Sequence, residues 1–454
     1  MTSWAGRRVL VVGLGASGLA AARALLDLGA RVCVTESRCS DELLRRADEL
    51  CARGAQVELG GHDPRAWDAE VAVLSPGIPP HAPVRRAISQ LGLEEVGEVE
   101  LAAGLARCDL LAVTGTNGKT TTTSLLAAIL AEEGIPTAAA GNIGVPLVEA
   151  VGAIPEGGAL AVEVSSFQLE ATRAFRPRVA VVLNVAEDHT DWHGSFESYV
   201  RAKARIVANQ RADDFVVYND ADAHARAIAD EATSRPVPFS AARALREGIG
   251  VSDGVIRWRA AEVMPVAEVP LPGAGGVDDV LAAAGAALAY GVDTGSVRRA
   301  VRAFRPLPHR MRIVAERDGV TYIDDSKATN PHATLAAVRS LRDVVLIAGG
   351  RAKGVDLGAL SGAVPPVSAV VALGESADTV AEVFDGLVPV AVVATMEQAV
   401  DVAREHAVRG GSVLLSPACA SLDMYEGYAA RGDDFERAVR AALDDDDGTG
   451  HGHA

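Results

Sequence analysis

Leu110-Leu-Ala-Val-Thr-Gly115-Thr-Asn-Gly118-Lys119-Thr120-Thr-Thr-Thr-Ser124 is the stretch whose reading decides the fold. Its apolar run at 110–113 has the makings of a buried strand, and the following Leu125-Leu-Ala-Ala-Ile-Leu130 has helical apolar spacing. Between them lies a glycine loop: Gly115, Thr116, Asn117, Gly118, Lys119, Thr120 and Thr121. Strand, glycine loop and helix in that order build a phosphate cradle. Glycines let backbone N–H groups turn toward an anion, and the helix N-terminus adds positive partial charge. Lys119 would reach the outer phosphates, and the Thr120 hydroxyl would sit on Mg²⁺. The spacing is Gly-x-x-Gly-Lys-Thr, shorter than the common Gly-x-x-x-x-Gly-Lys-Thr. An ordinary glycine turn has no need of Lys-Thr in register, so the stretch predicts a nucleoside triphosphate site.

Toward the N-terminus, Arg8-Val-Leu-Val-Val12 reads as a buried strand and runs into Gly13-Leu-Gly15-Ala16-Ser17-Gly18. A helical pattern over 19–28, closed by Gly29, and a second strand at Arg31-Val-Cys-Val34 complete a βαβ unit that ends at Glu36-Ser37-Arg38. Alone, this fingerprint suggests a nicotinamide or flavin enzyme, but such turns also bind other nucleotides or none. Glu70-Val-Ala-Val-Leu74 leads into Ser75-Pro76-Gly77, which is either a ligand-side turn of an open α/β sheet or a plain Pro-Gly turn.

Beyond the phosphate loop, Gly158-Ala-Leu-Ala-Val162 and Val179-Ala-Val-Val-Leu183 are further strands. Glu163 follows the first; Asp188, His189 and Asp191 follow the second. A parallel sheet puts such ends on the edge that carries the loop, so these four are candidate Mg²⁺ ligands, of which one or two suffice. Tyr199-Val-Arg-Ala-Lys203-Ala-Arg-Ile206 reads as a helix facing the same edge. Short irregular strands occupy 239–269. An alanine-rich helix over 280–290 follows, with Asp278 or Asp279 as its cap. Pro306-Leu-Pro308-His309-Arg310 is a rigid joint, after which strands near 320, 344, 369 and 413 end in small or polar residues, the pattern of a second nucleotide-type sheet. The low-complexity tail from about 444 is expected to be disordered, and its His451 and His453 form at most a loose metal pair. The expected architecture is α/β in three domains: a Rossmann-like domain over 1–97, a central P-loop ATPase-like domain over 98–306 and a C-terminal Rossmann-like domain over 307–454.

Bulk composition narrows the function. The 454 residues are 49% hydrophobic and 23% charged, which suits a globular chain with several cores. A net charge of −17 argues against nucleic acid or an anionic membrane as partner, so a small anionic substrate must be held by local donors. The five cysteines are scattered and lack Cys-x-x-Cys spacing, which fits a reducing compartment and argues against a zinc site. With no apolar span long enough to cross a bilayer and no secretory leader, a soluble cytoplasmic protein is expected; a monomer is expected as well.

Gly115-Thr-Asn-Gly118-Lys119-Thr-Thr within three α/β sections resembles the Mur ligase family. So do Ser75-Pro-Gly-Ile78, Gly141-Asn-Ile-Gly144 and Glu163-Val-Ser-Ser-Phe-Gln-Leu-Glu170. Asp325-Ser-Lys-Ala-Thr-Asn330 and Leu415-Ser-Pro-Ala-Cys-Ala-Ser-Leu-Asp423 resemble its D-glutamate-adding branch. The resemblance implies that the first domain binds UDP-N-acetylmuramoyl-L-alanine rather than a dinucleotide, through Gly15, Ala16, Ser17, Glu36, Ser37, Arg38 and Gly77, with Asn142 contributing from the central domain. Glu163 and His189 match the family's ligands for two Mg²⁺ ions, joined by Thr120 and by Lys203, the lysine that is carbamylated in the family. Lys327 and Thr329 would lie near the ATP phosphates with His309 and Arg310. Lys353, Ser421, Leu422 and Tyr428 match the D-glutamate pocket, although Tyr428 stands where phenylalanine is usual. The implied catalytic set is Lys119, Glu163, His189 and Lys203, and the implied reaction is ATP-driven amide formation with closure of the third domain. One departure stands out: the family reads His-Asn-x-x-Asn where this chain has Gly275-Gly276-Val-Asp278-Asp279, so both asparagines of the ATP site are absent.

Overall fold

A computed structural model describes residues 3–449 except 272, 306 and 340. Three sheets organise the described residues. By packing, the chain forms two compact units. The first comprises Met1–Val185, Glu197–Glu268 and Asp278–Ala303; the second comprises Ala186–Phe196, Val269–Val277 and Phe304–Ala454.

The first sheet runs in the order Gln56–Leu59, Arg31–Glu36, Arg8–Val12, Val71–Leu74, Glu94–Gly97, with every pair parallel. Parallel strands carry helices on both faces, which is why Val9, Leu10, Val11 and Val12 are all buried and the strand shows no polar alternation. The helix Ala16–Asp27 closes as the sequence leads one to expect. Gly29 takes φ +78°, and the N–H groups of Gly29 and Ala30 donate to the carbonyls of Leu26 and Leu25. Strand order reverses between Arg8–Val12 and Val71–Leu74, so the loops after these two strands flank the switch point where ligands bind in such sheets.

The second sheet belongs to the same unit. Its parallel part runs Ile249–Ser252, Arg235–Ser240, Phe215–Asn219, Val179–Val182, Asp109–Thr114, Ala159–Glu163, Ala139–Gly141. Val255–Trp258 and Ala261–Pro265 extend it as an antiparallel meander, which accounts for the weak signal over 239–269. Glu163 is the last residue of its strand rather than the first of a loop, and pairs in register with Val113 and Gly141. The alanine-rich helix begins at Gly273 and runs to Tyr290. Asp278 and Asp279 therefore lie inside it and not at its cap. Gly276, near the start of this helix, packs against Leu271 so closely that a Cβ there would lie 2.7 Å from Leu271 Cβ.

In the second unit the sheet order is Arg312–Arg317, Val320–Asp324, Ser412–Ala418, Val344–Gly349, Val367–Ala372, Val390–Val392. The first pair is antiparallel and the rest are parallel. One core, with Leu346, Leu360, Val380 and Phe384, fills one face of the sheet, and another, with Ile347, Leu415, Phe435 and Val439, fills the other. The final helix, Tyr428–Thr449, carries the acidic run that composition marks as disordered from about 444. Pro306 of the joint and the end of the tail, including His451 and His453, lie outside the described residues. Among the described residues no helix is long and apolar enough to cross a membrane.

Candidate active site

At the switch point of the first sheet, Gly13 and Gly18 are required by close approach. A Cβ at Gly13 would lie 2.8 Å from Ser75 Oγ, and one at Gly18 would lie 1.9 Å from the Gly13 carbonyl oxygen. Gly15, by contrast, has open space before it, and Ala16 and Ser17 begin the helix there. The Ser75–Gly77 turn sits directly against this loop, with Ser75 Oγ donating to the Gly13 carbonyl at 3.4 Å. Glu36 is buried and turned inward. Its Oε2 accepts from the Leu14 N–H at 2.9 Å, and its Oε1 accepts from the Arg38 N–H at 3.0 Å and Ser37 Oγ at 3.3 Å. Burial by itself would raise the Glu36 pKa. The two amides and the Arg38 guanidinium outweigh it and hold the carboxyl below its ordinary value. Glu36 thus shapes the loop, while the side chain of Arg38 is exposed.

In the same unit, Lys119 curls over its own loop and donates to the carbonyls of Gly115 and Thr116, both at 2.9 Å. Gly118 takes φ +86° and passes directly into the helix Lys119–Glu132, which starts at Lys119 and places Thr120 and Thr121 in its first turn. Asn184, at the end of the neighbouring strand, braces the loop: its Oδ1 accepts from Asn117 N–H at 2.9 Å and its Nδ2 donates to the Asn117 carbonyl at 3.1 Å. Lys203 is 1% exposed, and its Nζ donates to the Gly115 carbonyl at 2.7 Å while lying 4.5 Å from the centre of the Tyr199 ring. The Tyr199 hydroxyl meets Thr116 Oγ1 at 3.1 Å. Glu163 is buried; its Oε1 accepts from Asn142 Nδ2 at 2.8 Å, and its Oε2 has no hydrogen-bond partner among the described residues. An orphaned, buried carboxylate oxygen is destabilising unless something cationic completes it, and a hard oxygen of this kind suits Mg²⁺.

The second unit gathers the remaining candidates. His309 Nδ1 lies 2.6 Å from Asp324 Oδ2, with both groups buried. A Cβ at Gly432 would lie 2.2 Å from His309 Nδ1, so glycine is needed for that pair to form. Asp325, next to Arg310, accepts from Ser416 Oγ at 3.0 Å. Burial pushes its pKa up to about 7 despite the nearby Arg310. Lys327 Nζ lies 5.0 Å above the Tyr428 ring and 3.4 Å from its hydroxyl, and Thr329 follows on the same half-buried turn. Ser421 is buried, Leu422 and Tyr428 are exposed, and Lys353 Nζ lies 3.9 Å from Asp188 Oδ1. Asp188, His189 and Asp191 lie on Ala186–Phe196 and so pack with this unit, while Glu163, Lys119 and Lys203 belong to the other. His309, Asp324 and Glu436 are close enough to hold a metal ion, but Arg312 already pairs with Glu436 at 2.8 Å.

Comparison with known proteins adds the decisive observation. Residues 7–97 match a Mur ligase MurD-like N-terminal domain, 113–287 the Mur ligase middle domain, and 309–419 the Mur ligase glutamate ligase domain. A UDP-N-acetylmuramoylalanine--D-glutamate ligase of Acidobacterium capsulatum is 44% identical over 446 residues, spanning 96% of each chain. The chain belongs to the Mur ligase family. The protein of the same name from Frankia casuarinae is 45% identical over 452 residues, covering 97% of this chain and 95% of its own. Among solved structures, a UDP-N-acetylmuramate-alanine ligase of Thermotoga maritima superposes with a TM-score of 0.59 at 20% identity, over 96% of this chain and 99% of that one, which shows the shared fold.

The match of 7–97 to a MurD-like N-terminal domain places the 13–18 turn in a Mur ligase rather than in a nicotinamide or flavin enzyme. It also throws into relief residues that the sequence does not announce. Arg431 is 2% exposed and stitches two loops of the site together. Its guanidinium donates to Ser326 Oγ, the Ser326 carbonyl and the Cys419 carbonyl at 2.9–3.1 Å. Burial pulls its pKa down to about 10. Asn184 and Tyr199 do similar bracing at the phosphate loop. A polar residue at a strand end is a signal for Asn184; nothing in the local pattern marks Arg431, an arginine within a long helix.

Proposed function

We propose that this Mur ligase joins D-glutamate to UDP-N-acetylmuramoyl-L-alanine at the expense of ATP, in the building of peptidoglycan precursors. The observation that carries the reading is near end-to-end identity of 44–45% with proteins that bear that name. The phosphate loop supports it, since Lys119, Lys203 and the orphaned Glu163 Oε2 are all present in its unit. A catalytically decayed relative would have no reason to keep a buried lysine and a buried, uncompensated carboxylate together.

In this reading the alanine carboxylate attacks the γ-phosphorus of ATP, ADP departs, and an acyl phosphate forms. The amine of D-glutamate then attacks the acyl carbon, and the tetrahedral intermediate collapses to an amide with release of phosphate and a proton. The alanine carboxylate, the phosphates and the oxyanion of the tetrahedral intermediate are all anionic, so stabilisation of negative charge is the main task. Lys119 exchanges its two loop carbonyls for phosphate oxygens. Lys327 and Arg310 add positive charge, and Lys353, Ser421, Leu422 and Tyr428 form the acceptor's pocket. Glu163, Thr120, His189 and a carbamylated Lys203 would hold two Mg²⁺ ions, which when bound neutralise phosphate charge. Carbamylation joins the neutral Lys203 amine to the carbon of CO₂ with loss of one proton and turns a cation into an oxygen donor. In the first domain, Gly15, Ala16, Ser17, Ser37, Arg38 and Gly77 surround the uridine diphosphate, with Asn142 reaching it from the edge of the central sheet.

The test is release of phosphate from ATP in the presence of UDP-N-acetylmuramoyl-L-alanine, with D-glutamate, L-glutamate or glycine as acceptor. Stimulation by D-glutamate alone is expected; no stimulation by any acceptor refutes the proposal.

A further inference from the structure

Asp188, one of the four acidic or histidine candidates at the strand ends but outside the proposed metal set, lies at the centre of a network that includes His189 and Lys353. The residue is 4% exposed, and both of its oxygens are engaged. Oδ2 accepts from Asn330 Nδ2 at 3.1 Å and lies 3.7 Å from His189 Nε2; Oδ1 accepts from the His189 N–H at 2.9 Å and lies 3.9 Å from Lys353 Nζ. Asn330 is itself anchored, because its Oδ1 caps the helix Pro331–Val338 by accepting from the Ala333 N–H at 2.9 Å. Its amide orientation is therefore set, with the NH₂ aimed at Asp188. Two backbone features frame the cluster: His189 and Lys353 both hold left-handed φ angles of 54°, a conformation that side-chain-bearing residues keep only where surroundings impose it. The segment is tied down a second time by Thr190 Oγ1, which donates to the Gly354 carbonyl at 3.3 Å.

From this geometry we infer that Asp188 is a positioning residue for the amino-acid acceptor: it fixes the Lys353 ammonium where the acceptor's carboxylate binds. The inference rests on the proposed ligase function. A lysine has four rotatable side-chain bonds and loses considerable entropy when one rotamer is selected. A buried carboxylate that is itself held by Asn330 preorganises that lysine before the acceptor arrives, which lowers the acceptor's KM rather than accelerating chemistry.

Steady-state kinetics on the full chain test this. Asp188→Asn is expected to raise the KM for D-glutamate at least tenfold, with kcat within threefold and the KM for ATP within twofold. A double-mutant cycle separates mechanism from disruption: if Asp188 acts through Lys353, Asp188→Asn lowers kcat/KM for D-glutamate in the natural background but not in Lys353→Met. Losses that multiply across the cycle overturn the inference, as does an unchanged KM in Asp188→Asn. Thr190→Val removes the tether to Gly354 without touching charge and should leave the D-glutamate KM within twofold. A rise matching that of Asp188→Asn would reduce the effect to segment tethering and overturn the inference. Should Asp188→Asn fail to fold, Asp188→Glu carries the test, since the longer acid displaces Lys353 and the same rise in KM is expected; an unchanged KM there overturns it. An inactive natural chain refutes the ligase reading itself, whereas an active one with a normal Asp188→Asn refutes only this inference.

Discussion

The Asp279 carboxylate lies directly against Gly118 of the phosphate loop: a Cβ on that glycine would come within 2.2 Å of Asp279 Oδ1. The same oxygen accepts from Thr122 Oγ1 at 3.3 Å. A negative charge therefore sits under a loop built to hold phosphates, where the family pattern calls for a neutral amide. Asp279→Asn preserves the shape and removes the charge, and the KM for ATP is expected to fall about fivefold, or ~1 kcal/mol. An unchanged KM would show that the carboxylate is neutral toward ATP, and a higher one that it favours ATP binding. Restoring the other asparagine is not expected to help. A Cβ at Gly276 would meet Leu271 Cβ at 2.7 Å and the Leu271 carbonyl oxygen at 2.9 Å, so Gly276→Asn should disturb the start of its helix instead of adding a donor.

Lys203 offers a test of carbamylation. Its Nζ is buried and 2.7 Å from the Gly115 carbonyl. Lys203→Ala is expected to lose at least about 100-fold in kcat, and small added carboxylates should restore part of it by supplying the missing oxygen donor. Lys203→Arg keeps the charge but cannot take up CO₂, so it should be as impaired as Lys203→Ala. Full activity of the arginine variant would rule out the carbamate.

Glu98 makes stability depend on pH. Its Oε1 accepts from the Val148 N–H at 2.8 Å, and burial raises its pKa to about 7 against the opposing effect of the Val148 and Leu147 amides. A carboxyl with a raised folded-state pKa contributes stability that is fully present below its ordinary pKa, near 4.5, and lost as pH rises through about 7. Glu98→Gln should therefore unfold at a higher temperature than the natural chain at pH 8, with the difference shrinking toward pH 5. Thermal unfolding across that range measures it, and a difference independent of pH would count against burial of the charged form.

Arg431 should matter to stability and to acceptor binding together. Arg431→Met leaves the Ser326 and Cys419 carbonyls without their buried donors, at a cost of about 3 kcal/mol. Because the loop after Cys419 carries Ser421, the KM for D-glutamate should rise as well. Arg437→Ala, which removes only exposed pairs with Glu397 and Asp434, should change stability by no more than about 0.5 kcal/mol.

Much of the fold and half of the site are legible in local sequence. Strands buried on both faces must be apolar throughout, and the turns that follow them must carry glycine wherever backbone passes within contact distance, as at Gly13, Gly18 and Gly118. Those demands act over a few neighbouring residues, so they leave a readable trace. They placed the phosphate loop and the three successive α/β sections, and with them Lys119 and Glu163 near the ends of their strands and Lys203 on a helix.

Packing decided the rest. Glu36 turned inward to clamp its loop, Asp188 and His189 joined the second unit, Asp279 settled under Gly118, and Arg431 tied Ser326 to Cys419. In each case the partners lie far apart in sequence, or the choice is between two directions for one side chain. No periodicity or spacing encodes such a choice. It is made when polar groups are buried together and each must find a partner, a condition that exists only once the chain has folded.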